Sequence, residues 1–250
     1  MLISIITAVY NRKAVIGDAL ASFAAQTHVK REHVLIDGGS TDGTLEVLRA
    51  HLGPTMTLVS EPDGGIYDAL NKGIALAKGD VIGLLHSDDL FASPLVLAKV
   101  AAQFSDPKVD AVYGDLQYVA ANDVSRVIRH WTAGRFDPTL LKKGWMPPHP
   151  TLFLRRQVYE KYGTYDTSFR IAADYDAILR YFGKGEIRSA YIPEVLVKMR
   201  VGGESNKSLR RIIRKSSEDY RALKKNGMGG LGTLFWKNFS KLHQFFGKAN

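Results

Sequence analysis

The sequence GDVIGLLHSDD, residues 79–89, combines a short apolar run with two acids at its end. Residues 81–85 are continuously apolar and of strand length, which is typical of a strand that is buried on both faces. Asp88 and Asp89 follow this strand almost directly. Strands of this kind form parallel sheets, which bind their ligands at the carboxyl ends of the strands. The stretch therefore predicts a parallel sheet with Asp88 and Asp89 at its functional edge.

Apolar runs alternate with amphipathic stretches on both sides of this strand. The predicted strands cover residues 2–9, 33–36, 55–60 and 81–85, and helices are predicted to begin near residues 15, 44, 66 and 93. Ser93-Pro94 is predicted to begin the last of these helices, with serine as N-cap and proline at the first helical position. The alternation predicts an α/β fold, a mostly parallel central sheet flanked by helices.

The pattern changes after residue 110. Residues 111–113, 116–119 and 127–131 predict a small, partly antiparallel segment, and a proline-rich loop is expected at 144–150. Helices are predicted over residues 158–162, 174–182, 205–225 and 234–246, with a glycine-rich hinge at 226–232. We expect two parts: a domain over residues 1–204 and a basic amphipathic helical tail over residues 205–250.

The composition is that of a globular domain and excludes proteins that depend on cysteine. The chain has 250 residues, 45% of them hydrophobic, which suits one α/β domain with appendages. It has no cysteine, which excludes a disulfide framework and a thiolate zinc site. The first residues, MLISIITAVYN, lack a basic n-region and predict a buried strand, not a signal peptide. No run reaches the roughly 18 apolar residues of a spanning helix, so we expect a cytoplasmic protein without a transmembrane helix.

The net charge of +9 lies entirely in the last 46 residues, which hold 11 lysines and arginines and only two acids. A basic tail on a neutral body predicts an anionic partner for the tail alone. Apolar residues recur in the tail at helical spacing and would enter a membrane surface, with Lys237, Lys241 and Lys248 at the head groups. Alternatively, this apolar face packs on the domain or on a second subunit. No nucleic-acid-binding module is visible, so we expect no nucleic acid partner.

Two motifs suggest a nucleotide site. Asp88 and Asp89 are suited to a divalent cation that bridges the two phosphates of a nucleoside diphosphate, although aspartates are also common in turns and helix caps. DGGSTDGT, residues 37–44, is a glycine-rich turn whose N–H groups can closely approach a nucleotide, or an ordinary tight turn. It is neither GxGxxG nor a P-loop, so the dinucleotide and ATPase interpretations lose their main support.

Two further motifs suggest sugar contacts and a base. Asp68, Asn71 and Lys72 are spaced i, i+3 and i+4, on one face of a predicted helix. They would hold a ribose or sugar hydroxyl, or they form a solvated face. Asp174 begins the helix predicted over residues 174–182. A carboxylate there could take the proton from an acceptor hydroxyl, although an aspartate at this position is also a common helix cap.

Taken together, these motifs make residues 1–200 resemble the glycosyltransferase family 2 type, which has the GT-A fold. The resemblance rests on SIITAVYNR (4–12), DGGSTDGT (37–44), GD (79–80) ahead of SDD (87–89), and ADYD (173–176). Their order and spacing agree as well as their residue types. EPD (61–63) with IYDALNKG (66–73) is similar to bacterial enzymes of capsule, exopolysaccharide or O-antigen assembly.

The resemblance implies a metal-dependent inverting glycosyltransferase, which moves a sugar from a nucleotide-sugar donor to an acceptor hydroxyl. It implies Mg²⁺ or Mn²⁺ bound by Asp89, with Asp88 on the metal or the ribose. Asp174 would be the catalytic base, with Asp176 as the weaker candidate. The donor-binding residues that we expect are Thr7, Tyr10, Asn11, Asp37, Asp68, Asn71, Lys72, Asp88 and His149, the last near the diphosphate or the acceptor.

The sequence departs from the family in two motifs. Asp37-Gly38 stands where many members have two acids, so recognition of uracil is not implied. The metal motif has two adjacent acids, whereas in the family two acids flank one residue. The chain lacks the longer catalytic domain and spanning helices of processive synthases, so it resembles an enzyme that adds a single sugar.

The acceptor that we expect is a lipid-linked saccharide of bacterial surface polysaccharide synthesis, with the protein peripheral on the inner face of the cell membrane. Two alternatives remain. A sugar-nucleotide nucleotidyltransferase would need a basic, glycine-rich triphosphate loop, which residues 7–12 do not supply. A non-catalytic, membrane-associated sugar-binding module would need neither a metal nor Asp174.

Overall fold

The computed structural model describes residues 1–183, 187–201 and 209–239, and in these ranges nine strands form one sheet. The strands are β1 (Ile3–Val9), β2 (Arg31–Asp37), β3 (Met56–Ser60), β4 (Val81–Leu84), β5 (Leu90–Phe91), β6 (Ala111–Ala120), β7 (Asp123–Trp131), β8 (Phe153–Arg155) and β9 (Ser189–Arg200). The helices are α1 (Ile16–Ala24), α2 (Thr44–Ala50), α3 (Ile66–Leu76), α4 (Val96–Gln103), α5 (Arg156–Tyr162), α6 (Ala173–Gly183), α7 (Leu209–Asn226) and α8 (Leu231–Phe239). Two 3₁₀ helices cover Pro138–Lys143 and His149–Thr151.

The sheet has the strand order β3-β2-β1-β4-β8-β6-β9-β5, and β7 pairs with β6 outside this row. Strands β3, β2, β1 and β4 are parallel, as are β6 and β9. Strand β8 is antiparallel to its neighbours β4 and β6, and β5 is antiparallel to β9. The predicted α/β fold, with a parallel central sheet flanked by helices and a smaller antiparallel segment, is confirmed.

Two hydrophobic cores lie on the two faces of the sheet. Side chains of β1 alternate between them: Ile6 packs with Leu70 of α3, and Ile5 packs with Leu20 of α1. Helix α3 lies so close to β1 that a Cβ atom on Gly73 would clash with Ile6. This close contact fixes α3, and with it the residues that its first turn presents to the sheet edge.

The prediction that Ser93 caps a helix is wrong. Helix α4 begins at Val96, with Leu95 as its N-cap residue. The Ser93 carbonyl instead accepts a hydrogen bond of 2.8 Å from the Gln26 side chain. Ser93-Pro94 is therefore part of a turn that is tied to the end of α1.

The second half of the sheet contains strands that the pattern did not indicate. Residues 111–120 form one continuous strand, β6, where two short strands were predicted. Strand β9 has a proline and a glutamate in its middle, and the register of its pairing with β6 shifts there, from Ile192 opposite Gly114 to Val195 opposite Asp115. A bulge of this kind accommodates a proline, which has no N–H to donate.

The two C-terminal helices pack on the rest of the protein. Helix α7 contacts α6, and α8 contacts both α7 and the 3₁₀ helix Pro138–Lys143. The expectation that Lys237 faces lipid head groups is wrong, because its side chain is only 2% exposed. Lys241 and Lys248, with the remainder of the helix predicted to residue 246, lie outside the described residues. Within the described ranges, no helix combines the length and the hydrophobicity that crossing a bilayer requires.

Candidate active site

The polar motifs meet at one edge of the sheet. Because β1, β2, β3 and β4 are parallel neighbours, the residues that follow them emerge on the same side. These residues are Tyr10-Asn11 after β1, Asp37 at the end of β2, Glu61 after β3, and Asp88-Asp89 after β4. The juxtaposition predicted for the strand ends is thus present in the structure.

The turns after β1 and β2 are held together by hydrogen bonds. Asn11 has a left-handed backbone, with φ 52°, and its side-chain oxygen accepts a hydrogen bond of 2.9 Å from the Thr41 N–H. Asp37 is buried and accepts hydrogen bonds from the Ser60 hydroxyl, at 2.7 Å, and from the Ser40 N–H, at 3.2 Å. Asn11 and Asp37 thereby give the edge a fixed backbone.

Two side chains, those of Tyr10 and Asp63, flank this fixed backbone and are at least partly exposed. Tyr10 is 57% exposed at the end of β1. A Cβ atom on Gly38 would lie 2.5 Å from a carboxylate oxygen of Asp63, so that carboxylate fills the space beside Gly38. Asp63 was not among the predicted site residues, because only the folded loop after β3 brings it next to the turn after β2.

Two predicted donor contacts have their polar groups engaged inside the protein. The Thr7 hydroxyl is fully buried; it donates to the Leu85 carbonyl at 2.7 Å and lies 2.8 Å from the His33 ring. The Asn71 amide bonds to the backbone N–H and C=O of Tyr165, at 2.9 and 2.8 Å. The geometry gives both side chains a structural role, and neither polar group is presented to the sheet edge.

Asp68 and Lys72 form a network with the loop that follows β3. The Lys72 ammonium lies 2.8 Å from Glu61 and 3.6 Å from Asp68. Asp68 also accepts a hydrogen bond of 2.9 Å from the Gly64 N–H. Both residues therefore lie at the predicted edge, where they order the loop that carries Asp63.

Asp89 has the properties of a cation ligand. It is 1% exposed, and one of its carboxylate oxygens has no hydrogen-bond partner. Burial raises the pKa of Asp89 well above its usual range, and the charge of Asp88 raises it further. An unpartnered carboxylate in such a place is costly unless it is protonated or bound to a cation. The Arg200 guanidinium donates a hydrogen bond of 3.1 Å to the Asp88 carbonyl and so stabilises the turn that carries both acids.

The two acids fit a hard divalent cation that is shared with a phosphate ligand. Among the residues that the structure describes, no cluster of three or more His, Cys, Asp or Glu side chains could hold a metal ion by itself. Mg²⁺ and Mn²⁺ are commonly held by one or two carboxylates, with substrate phosphates and water completing the shell. Asp88 and Asp89 supply what such a shell requires from the protein.

Asp174, at the second position of α6, lies in a chain of polar contacts. Its carboxylate accepts from the Tyr67 hydroxyl at 3.2 Å and lies 3.2 Å from Nδ1 of His149. Nε2 of His149 in turn lies 2.9 Å from Nε2 of His86, two residues before Asp88. The chain connects the Asp88-Asp89 turn with Asp174 through two imidazole rings, and neither Tyr67 nor His86 was predicted to be part of it.

The charge of Asp174 is set by opposing effects. Burial acts to raise its pKa, but the electrostatic effects of His149, Lys237, the Tyr175 N–H and Lys215 outweigh burial and hold the pKa below its ordinary value. The carboxylate is therefore ionised at neutral pH, as a proton acceptor must be. Burial lowers the pKa of His86 to about 3, so that ring is neutral.

Asp176, the second candidate for the base, is fully buried and engaged. Its carboxylate accepts hydrogen bonds from Arg180, at 3.1 Å, and from the Asn226 amide, at 2.9 Å, and lies 3.2 Å from the Lys225 ammonium. Lys225 and Asn226 thereby bind α7 to α6, and the engaged carboxylate has no room for an acceptor. The Asp174 side chain is 17% exposed, so of the two aspartates it is the one whose position suits a base.

Known proteins with similar sequences are glycosyltransferases. The model of the family described as Glycosyl transferase family 2 matches residues 4–172. A PGL/p-HBAD biosynthesis glycosyltransferase of Mycobacterium bovis is 34% identical over 208 residues, which cover 81% of this chain and 78% of that protein. An uncharacterized glycosyltransferase of Nostoc sp. is 30% identical over 218 residues, covering 82% and 66% of the two chains.

Two solved structures have a similar fold. S. aureus TarS 1-349 in complex with UDP-GlcNAc gives a TM-score of 0.69 at 18% identity, covering 90% of this chain. The chain spans 65% of that TarS chain. The mannosyltransferase PcManGT from Pyrobaculum calidifontis, in complex with GDP-Man and Mn²⁺, gives 0.69 at 21% identity, covering 97% of this chain and 70% of the other. At these identities, the likeness concerns the fold alone.

Proposed function

The chain belongs to glycosyltransferase family 2 and has glycosyltransferase activity; from that premise we propose that it is an inverting transferase that uses a nucleotide-sugar donor, a divalent cation and Asp174 as its base. The observation that carries the proposal is the polar chain from Asp174 through His149 to His86, which joins an ionised carboxylate to the Asp88-Asp89 turn. A base for the acceptor and a pair of acids for the donor phosphates thus share one edge.

In the proposed reaction, Asp174 takes the proton from an acceptor hydroxyl as that oxygen bonds to the anomeric carbon. The bond between the anomeric carbon and the diphosphate oxygen breaks on the opposite face, so the configuration inverts. Asp89 and Asp88 would hold Mg²⁺ or Mn²⁺, which when bound neutralises charge on the leaving diphosphate. Tyr67 and His149 orient the Asp174 carboxylate through the contacts already described.

The nucleoside of the donor would lie against the fixed turns after β1 and β2. The exposed ring of Tyr10 offers a stacking surface, and Asp63 offers a carboxylate acceptor nearby, while the buried Asp37 holds the turn in place. Similar folds that were solved with UDP-GlcNAc and with GDP-Man support a nucleoside-diphosphate sugar as the donor.

The test of the base is Asp174→Asn, which keeps the size of the side chain and removes its charge. We expect turnover to fall by about 10²- to 10⁴-fold, the usual contribution of general base catalysis. Donor binding, measured by calorimetry with a panel of nucleotide sugars and Mn²⁺, should be unchanged. Asp106→Asn, in an exposed turn after α4, is the matched control. Turnover retained in Asp174→Asn would refute the assignment.

The test of the cation site is Asp89→Asn. We expect the variant to lose the part of the donor affinity that depends on Mn²⁺, while its affinity in the presence of a chelator stays that of the wild type. Equal donor affinity of variant and wild type in Mn²⁺ would contradict the proposed site. Inactivity of the wild type with every donor, together with preserved donor binding, would favour the non-catalytic sugar-binding module.

We also propose that the acceptor is a lipid-linked saccharide of bacterial surface polysaccharide synthesis, reached from the cytoplasmic face of the membrane. Helix α8 exposes Leu231, Phe235 and Trp236, and α7 exposes Ile213 together with basic side chains such as Arg214. Exposed apolar side chains beside basic ones are suited to an anionic lipid surface. The excess of lysines and arginines in residues 205–250 also supports an anionic lipid surface as the partner.

Co-sedimentation with lipid vesicles tests the membrane proposal. We expect binding to vesicles that contain anionic lipid and little binding to neutral vesicles, with added salt weakening it. Phe235→Ser combined with Trp236→Ser should reduce binding, because both side chains are more than half exposed. Equal binding of wild type and double variant would contradict docking through α8.

A further inference from the structure

Glu218 of α7 holds the backbone that leads into α6. One of its carboxylate oxygens accepts hydrogen bonds from three successive N–H groups: Arg170 at 3.1 Å, Ile171 at 2.8 Å and Ala172 at 3.1 Å. Glu218 is 9% exposed, so water competes little for these bonds. Hydrogen bonds to an ionised acceptor are stronger than neutral ones. Residues 170–172, which directly precede α6, are therefore fixed by a side chain of α7.

The same three residues are connected to Asp174 by a second route. The Tyr67 hydroxyl lies 2.7 Å from the Ile171 carbonyl and 3.2 Å from the Asp174 carboxylate. Ala172 is followed by the first residue of α6, and Asp174 is the second. A displacement of residues 170–172 would consequently move both the carboxylate and the tyrosine that orients it.

The neighbours of Glu218 on α7 lie close to the same aspartate. Lys215 and Asp219 are spaced i and i+4 and form an ion pair of 3.3 Å, and Asp219 also pairs with Lys237 of α8 at 2.7 Å. Both lysines are near enough to Asp174 for their charges to act on it. The face of α7 that packs on the domain is thus directed at the base, whose carboxylate itself contacts Tyr67 and His149.

We propose that Glu218 is a positioning residue for sugar transfer, which sets the place of Asp174 by holding the amides of residues 170–172. This inference rests on the proposed function of Asp174 as the base. It makes α7, which the sequence assigns to a tail, part of the catalytic unit. The competing explanation is that Glu218 only stabilises the fold, and the experiment has to separate these two roles.

The test compares Glu218→Gln and Glu218→Ala with Glu160→Gln, a change of an exposed glutamate on α5. Gln keeps one oxygen acceptor without the charge, and Ala removes the acceptor. Misplacing a catalytic group by about 1 Å can cost about 100-fold in rate, so we expect kcat to fall about 100-fold in Glu218→Ala and less in Glu218→Gln. The donor Kd and the number of donor sites per chain should match the wild type. Amide hydrogen exchange should accelerate at residues 170–172 in both variants and not in the control.

The decisive measurement is a double-variant cycle with Asp174→Asn. If Glu218 acts through Asp174, adding Glu218→Ala to Asp174→Asn lowers the remaining kcat no further. The proposal would be overturned if the kcat losses of the two single variants multiply in the double variant. An unchanged kcat in Glu218→Ala would also overturn it. So would a loss of kcat that is matched by an equal loss of donor sites per chain. Full turnover in Asp174→Asn would instead refute the base itself. Loss of turnover there with wild-type turnover in Glu218→Ala refutes only the positioning role.

Discussion

Replacement of Lys237 by methionine tests whether α8 is part of the folded domain. Its ammonium lies 2.7 Å from Asp219 and 3.2 Å from the centroid of the Tyr175 ring, and both partners of the ion pair are 2% exposed. Removing one partner of a buried ion pair typically costs about 3–5 kcal/mol, because the other charge stays buried without compensation. Lys215 lies 3.3 Å from the same carboxylate and compensates in part, so we expect Lys237→Met to cost about 3 kcal/mol, near the lower bound of that range.

The assay is equilibrium unfolding in urea, followed by circular dichroism. Lys224→Met, on the exposed face of α7, is the control and should change the stability by less than about 0.5 kcal/mol. Asp219→Asn alone and combined with Lys237→Met completes a cycle, in which the double variant should lose less than the two single losses together. A loss below about 1 kcal/mol in Lys237→Met would refute the reasoning, because a lysine that faces water or lipid head groups contributes little to folding.

Three further predictions follow from the packing of the domain. Burial lowers the pKa of His33 to about 3, so below pH 6.5 the unfolded chain binds a proton that the folded chain does not. The free energy of unfolding should therefore fall by up to about 1.4 kcal/mol per pH unit as the pH decreases. His33→Gln should flatten this dependence in urea unfolding between pH 7 and 5, and an unchanged slope would contradict the prediction. Gly73→Ala should cost about 1–3 kcal/mol by the same assay, since its new methyl group would overlap Ile6, and a neutral effect would mean that α3 can move away. Asn71→Ala should lower the stability by about 1–3 kcal/mol through the lost bonds to Tyr165 and leave the donor Kd unchanged, whereas a weakened donor with normal stability would restore Asn71 as a donor contact.

The first half of the site was predictable because parallel strands bring their carboxyl ends together. The apolar run before Asp88 and the glycine-rich turn after Asp37 are local sequence signals. The parallel pairing of β1 with β2 and β4 then brings the two motifs to the same edge of the sheet. The functions of Thr7 and Asn71 were not predictable in this way. Their residue types suit a ligand, and only the folded structure shows that His33 and Tyr165 already use their polar groups.

The second half of the site depends on contacts between distant parts of the chain. Tyr67, His149 and Asp174 come from three separate elements, and no spacing in the sequence specifies that they meet. Strand β9 escaped prediction because its central proline and glutamate interrupt the apolar pattern, which a bulge tolerates in the folded sheet. The tail was ambiguous for another reason: an amphipathic face looks the same whether it covers protein or lipid, and the burial of Lys237 is visible only in three dimensions.

The pairing of β5 with β9 has a consequence for synthesis on the ribosome. Leu90 directly follows the acidic turn and pairs with Lys198, and Arg200 fixes the same turn, so a nascent chain that ends before these residues carries the acids without their support. Glu218 is translated later still, after Asp174 itself. Strand pairs this far apart in the chain form slowly and only once both partners exist. A ribosome-bound intermediate can thus build the parallel half of the sheet early, yet it acquires an ordered active site only after β9 and α7 have been translated.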